Sequence, residues 1–413
     1  MNFRYLIPAL WAVAALCGCT TALDGGDTTP APTPGGYADP DGVWILNQGA
    51  PRMENGSLTW IAPDGTVEEQ VYRTVNGSAF GNTAQDLWCH DGKIYILSNN
   101  TTVPDKGSGE AADGSLVIVD AETFRREKVF RFEELTFPRP EGSTEEDEYL
   151  PLTTPLENIA VIDPHNVFIS DEQGLFRLDV TTGEMHIVEG SYAFGNQGST
   201  IEAIASTRGM TVVGDRLYSA GGGFWSTTKL FEFQSGRDAV VRSLDLRGEF
   251  VSGICRTGDR ELLVATCGRS GSTNSFLTFV DLDTWSVKLE KPVKADISAE
   301  FMNSSGVTLS GDYLYFAAGT MTVSRLSLKT WKIEEYIHVS EDAPGAAYLT
   351  CNVVADPVKN LLYVSVSDQL GEAIVSDGNV LVYDCSGDEP RLVMNLENRA
   401  SYPVNIYPVS RFR

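Results

Sequence analysis

Residues 82–100 read NTAQDLWCHDGKIYILSNN: a short apolar run, a glycine turn and a second apolar run. The turn and second run recur as PHNVFISDE (164–172), GDRLYSAGG (214–222), GDRELLVATCG (258–268), GDYLYFAAG (311–319) and KNLLYVSVS (359–367). Their apolar cores start at Ile94, Val167, Leu217, Leu262, Leu314 and Leu361, with gaps of 73, 50, 45, 52 and 47 residues. A period of about 50 built from short strands and turns marks radially repeated sheets. A further copy, VWILNQG at 43–49, lies 51 residues before Ile94 and lacks the run that should precede it.

That run stands at the other end. YPVNIYPVS (402–410) stops where every other copy goes on to a turn and a second run. The last strand is therefore expected to pair with the first blade and close the ring, since an open array leaves two edges that invite aggregation. The fold class is all-β: a seven-bladed β-propeller over residues 43–413, with four-stranded blades whose strands run A to D from the axis outward.

Blade 1 is expected to have strand B at 43–47, C at 57–62 and D at 67–73, and blade 2 strands at 84–89, 93–98, 115–120 and 124–132. Blades 3 to 7 are expected at 158–189, 209–246, 251–291, 306–339 and 352–396, with 402–410 returning to blade 1. The B runs are apolar on both faces, as a sandwiched sheet requires. The D runs mix in charges, as an outer edge requires. The C-to-D corner repeats too, placing Thr123, Thr182, Thr284 and Thr330 at one position, usually three residues after an Asp. Asp side chains cap tight turns, so Asp120, Asp179 and Asp281 are read as structural, and Trp285 and Trp331 as packing between blades.

The first 18 residues read as a secretory signal: Arg4, then LIPALWAVAAL, too short to span a bilayer. Leu16-Cys17-Gly18-Cys19 resembles a bacterial lipobox, which makes Cys19 the expected lipidated residue, and 19–42 a Thr, Pro and Gly-rich tether. Such a chain is anchored to a membrane rather than spanning it. Cleavage removes one Arg and no acid from a chain of net charge −25. Nucleic acid and anionic lipid headgroups are poor partners for so acidic a surface. The acidic run Glu145–Glu148, in a long loop at 133–157, reads as a solvated tip. Cys89, Cys255, Cys267, Cys351 and Cys385 show no zinc-type spacing, and no disulfide framework is expected.

Aligning the A runs places Asp86, Asn158, Gly209, Gly253, Gly306, Asn352 and Asn405 at one register around the channel mouth. Either a polar ring faces a ligand there, or seven converging backbones admit only small residues; residue size favours the second. The D-to-A and B-to-C connections are long and carry Phe80, Tyr192, Phe194, Phe224, Trp225, Phe301, Met302 and Tyr348, with SAFGN and YAFGN nearly duplicated. Long Gly-rich aromatic loops on one side of a rigid scaffold point to binding, although each aromatic taken singly is more often a loop anchor. The expected ligand-binding set is Phe80, Asp86, Asn158, Tyr192, Phe194, Phe224, Trp225, Met302, Tyr348, Asn352 and Asn405. The four His, at 90, 165, 186 and 338, show no metal-ligand spacing, and there is no nucleophile-elbow, P-loop or dinucleotide motif. No catalytic residue, metal or cofactor is expected.

VWILNQG…NGSLTWI, FGNTAQDLWCHDGKIYILSNN and the lipobox together resemble the YncE-like surface lipoproteins of Gram-negative gut bacteria. One branch of these, the BtuG type, is a seven-bladed propeller that sits on an outer-membrane TonB-dependent transporter and captures cobalamin for it. The resemblance covers essentially the whole mature chain. Many relatives carry Glu where this chain has Gln48, and no ligand-contact motif transfers. It implies a lipid-anchored, outer-membrane, surface-exposed protein that binds a small nutrient, cobalamin or another corrinoid, and hands it to such a transporter. A lyase- or lactonase-type propeller enzyme acting at the channel mouth, and a non-catalytic interaction or adhesion propeller, are the alternatives.

Overall fold

The computed structural model describes residues 36–49, 54–99, 112–195, 201–205, 209–221, 228–299, 305–368 and 377–412. Cys19, Phe224, Trp225, Phe301 and Met302 lie outside them. Among the described residues the long strands form seven antiparallel sheets, each in the order A, B, C, D. Blade 2 is typical: Ala84–His90, Lys93–Ser98, Leu116–Asp120 and Arg126–Phe130. Its B and C strands are almost wholly buried, while D opens with two exposed residues. The expected gradient from axis to rim is present.

Closure follows the reading of the tail. Pro403–Pro408 pairs with Val43–Asn47, placing Ile45 opposite Ile406 and Leu46 opposite Asn405. It is strand A of blade 1. Each innermost strand contacts the next around the ring, ending with Pro403–Pro408 against Ala84–His90. The outer strand of blade 7, Arg391–Ser401, adds to the seam. There Thr59 donates to the Arg399 carbonyl at 3.2 Å, and the Ser401 N–H donates to Asn47 at 3.0 Å.

The apolar core is divided into seven clusters, each between two successive blades. Alternation along each strand explains this: Trp44 and Leu46 face blade 2, whereas Val43 and Ile45 face blade 7. A fully buried aliphatic side chain contributes about 1.5–3 kcal/mol, so every blade is stabilised by both neighbours and none is a separate unit.

The C-to-D corners act as caps. Asp281 accepts the Thr284 N–H at 2.8 Å and its hydroxyl at 2.9 Å, and Asp120 does the same for Thr123 at 2.9 and 2.8 Å. The next residue turns left-handed in all four copies: Phe124 (φ 57°), Gly183 (85°), Trp285 (50°) and Trp331 (61°). That conformation throws the ring back onto the preceding blade. Phe124 meets Trp44 at 4.9 Å, Trp285 meets Tyr218 at 6.2 Å and Trp331 meets Phe279 at 6.3 Å.

Three expectations need correction. Strand D of blade 1 is only Val67–Glu68, because Gln70 adopts a left-handed conformation and the chain enters a short helix, Val71–Asn76. Strand A of blade 7 is split into Tyr348–Leu349 and Val354–Ala355, both paired with Leu361–Ser367. The connections into blades 3 and 4 each contain a hairpin, Thr136–Pro138 with Tyr149–Pro151, and Tyr192–Phe194 with Ile201–Ala203. The acidic run Glu145–Glu148 is exposed at the tip of the first, as expected.

Candidate functional site

Antiparallel order puts the A-to-B turns and C-to-D corners on one face and the B-to-C and D-to-A connections on the other. The A-to-B turns are short, such as Asp91–Gly92, Gly214–Asp215 and Gly311–Asp312. The connections on the opposite side include both inserted hairpins, the first packed against the outermost strand of blade 3, Met185–Ile187, and they carry Tyr348, which is 45% exposed.

The small-residue ring is largely a packing device. A Cβ on Gly306 would lie 2.7 Å from the Ser298 carbonyl oxygen, and one on Gly253 would lie 1.8 Å from the Ser305 hydroxyl. Asn158, Asn352 and Asn405 are buried. Asp86 ties three blades together. One carboxylate oxygen accepts the Leu87 N–H at 2.8 Å and the Tyr407 hydroxyl at 2.7 Å; the other accepts the Ile159 N–H at 2.9 Å. Burial raises the Asp86 pKa while these three bonds oppose the rise. Tyr407, buried beside it, is held well above the usual phenol value and stays a donor. Asn405 repeats the local motif, accepting the Ile406 N–H at 2.9 Å.

Below this ring the innermost strands line an open axial cavity of about 190 Å³. Asn405 lines it, with Trp88, Cys255, Arg256, Thr308 and Arg411 among the others. Burial raises the Cys255 thiol to about 12, so it is protonated and a poor nucleophile near neutral pH. A second opening, of about 440 Å³, lies beside the first hairpin and is lined by Arg139, Glu141, His186, Glu189 and Tyr192 among others.

The aromatics are dispersed. Tyr192 and Phe194 stand edge to face at 5.7 Å on the second hairpin. Tyr348 is exposed near the start of blade 7. Phe80 is inside the core, 1% exposed and 5.6 Å from Tyr72, so it anchors its loop and offers no free face. The two near-duplicate phrases therefore have different roles. The His placement follows the reading: His165 lies at an A-to-B turn, and His186 and His338 are on outer strands. Among the described residues, no group of three or more His, Cys, Asp or Glu is placed to hold a metal. Nor is any helix there long and apolar enough to cross a membrane. Sequence reading missed Trp88, Arg256 and Arg411 as axial residues; the alternation in AQDLWCH marks Trp88, while nothing marks Arg411.

Fold and channel together define a seven-bladed β-propeller with a narrow axial cavity. Residues 41–407 match the family described as a domain of unknown function (DUF5074), and the chain belongs to that family. Among curated proteins, none matches this sequence. Solved structures similar to it include dihydro-heme d1 dehydrogenase NirN in complex with DHE, at 13% identity and TM-score 0.48, covering 94% of this chain and 79% of that one. The WD40 β-propeller domain of Doa1 is 12% identical, with TM-score 0.45 and coverage of 80% and 88%. BamB from Moraxella catarrhalis is 12% identical, with TM-score 0.42 and coverage of 86% and 83%.

Proposed function

We propose that this propeller is a lipid-anchored outer-membrane surface protein that binds a small nutrient on one face and hands it to a TonB-dependent transporter. The nutrient is cobalamin or another corrinoid. The observation that carries this reading is the asymmetry of the connections: those on one side include both inserted hairpins and exposed Tyr348, and those on the other are short turns. The sequence resemblance to YncE-like surface lipoproteins supports the same assignment, and Cys19 with the tether that follows supplies the anchor.

Pockets that engulf a drug-sized ligand run to about 300–1,000 Å³. The axial cavity, at about 190 Å³, falls below that range, and the 440 Å³ opening lies at its lower end. A corrinoid is larger than either and would rest across the face, with Tyr348, Tyr192 and Phe194 as available apolar contacts. The purified protein titrated with cyanocobalamin is expected to shift the corrinoid absorption spectrum and raise the melting temperature. An unchanged spectrum and melting temperature at saturating cyanocobalamin would discard the corrinoid assignment.

A further inference from the structure

The axial cavity holds positive charge in a strongly acidic protein. The chain has 56 acidic and 31 basic residues, yet two guanidinium groups, Arg256 and Arg411, line this one space. Arg256 is engaged: it lies 3.1 Å from the Asp259 carboxylate and donates to the Gly258 carbonyl at 3.2 Å. Arg411 differs. It sits on the C-terminal turn Val409–Phe412, over the rings of Tyr407 and Phe412 at 5.4 and 5.6 Å. It makes no hydrogen bond or ion pair with any of the described residues.

Its field reaches Asp86 and Cys89 on blade 2 and Cys255 on blade 5, so the charge acts across the channel. Asp86 does not answer it by contact, because its oxygens already hold the Leu87, Ile159 and Tyr407 donors. The walls add apolar surface from Trp88, Ile254 and Phe412. They also add hydroxyls: Thr308 accepts the Ala355 N–H at 3.0 Å and keeps its own proton to donate. Both arginines are exposed to solvent at the edge of the cavity, so the attraction rests on Arg411 having no bound counter-charge beside apolar walls, and water and salt screen it in part.

We propose that the axial cavity binds a small oxyanion of the carboxylate or phosphate type, with Arg411 as its principal partner and Arg256 as the second. Its lining residues Trp88, Arg256 and Leu309 lie at the ends of the innermost strands that lead into the A-to-B turns, and those turns carry Asp91, Asp215, Asp259 and Asp312. Those acids repel polyanions, and the cavity volume admits only a small molecule. The proposal is independent of nutrient capture on the opposite face and stands or falls separately.

The test titrates the purified protein with inorganic phosphate, acetate and succinate at constant ionic strength, by calorimetry and by tryptophan fluorescence. Trp88→Phe assigns the optical signal. Saturable binding of at least one anion is expected, weakened about tenfold or more in Arg411→Gln, the loss typical of one charge-assisted hydrogen bond. Arg391→Gln, which removes a rim pair with Asp384, leaves the affinity unchanged. Arg411→Lys retains part of it, which separates loss of the site from loss of the fold. Binding of phosphate alone or of carboxylates alone supports the site and narrows its class. No saturable binding of any of the three, or equal affinity in Arg411→Gln and the parent, overturns the proposal.

Discussion

At the axis, a single methyl group added to Gly306 would press within 2.7 Å of the Ser298 backbone. At the rim, Phe124, Trp285 and Trp331 are forced into left-handed backbone so that whole rings can fill the gaps between blades. Radial sheets converge at one end and diverge at the other, so the same repeat needs its smallest side chains inside and its largest outside. The two zones also treat charge differently. Inside, Asp86 is satisfied by neutral donors. Outside, charge pairs with charge: Glu232, fully buried, lies between Arg242 at 2.6 Å and Arg216. Arg325 sits over Tyr313 and Tyr336 at 4.6 and 3.8 Å while pairing with Glu334.

The largest effect should come from breaking the inner ring itself. A chain ending at Tyr402 leaves Val43–Asn47 as an unpaired edge and exposes one side of the seam. It is expected to lose cooperative unfolding and to self-associate in sedimentation; a monomer with the parent melting temperature would refute closure as the source of stability.

Next comes the rim. Glu232→Ala leaves two guanidinium groups facing each other without their carboxylate and should cost about 3–5 kcal/mol in denaturant unfolding. A cost under about 1 kcal/mol would mean that the divergent end does not depend on its ion pairs.

Asp171 provides an intermediate case, a carboxylate buried among neutral donors. It accepts the Gln173 and Gly174 N–H groups at 2.7 and 3.1 Å and the Thr154 hydroxyl at 2.7 Å. Burial raises its pKa from 3.8 to about 7 despite these bonds. Between those values the folded state holds a proton that the unfolded chain releases, so rising pH favours unfolding. Its contribution is complete below about pH 3.8 and lost as pH passes through about 7. Asp171→Asn should remove that slope from melting temperatures measured between pH 4 and pH 8; an unaltered slope would place the titrating group elsewhere.

The mildest perturbation compares two glycines. Gly306→Ala is expected to cost about 1–3 kcal/mol through overpacking. Gly345→Ala, where a Cβ meets nothing within 4 Å, should be near neutral in the same urea titration. Equal costs would remove the argument that convergence selects small residues.

Much of this plan could be read from the chain, because each blade repeats a local signal: a Gly or Asn turn followed by a run apolar on both faces. The seam was legible for a related reason, since Val43–Asn47 and Pro403–Pro408 are complementary halves of one phrase. What escaped detection depends on contacts distant in sequence. Nothing in SAFGN distinguishes Phe80, which packs on Tyr72, from Phe194 in YAFGN on its hairpin. The brevity of strand D in blade 1 turns on the backbone of one residue, Gln70. Arg411 is one cation in an unpatterned tail, and only the closed ring brings it to the axis.

The pairing of Val43–Asn47 with Pro403–Pro408 also sets an order of events. A nascent chain makes its first blade's outer strands early and the matching inner strand only after the other six blades. Until that strand emerges the circle stays unlocked, however much of the chain has condensed. A polypeptide that stops before Pro403 therefore cannot close the circle, whatever blades it has already formed.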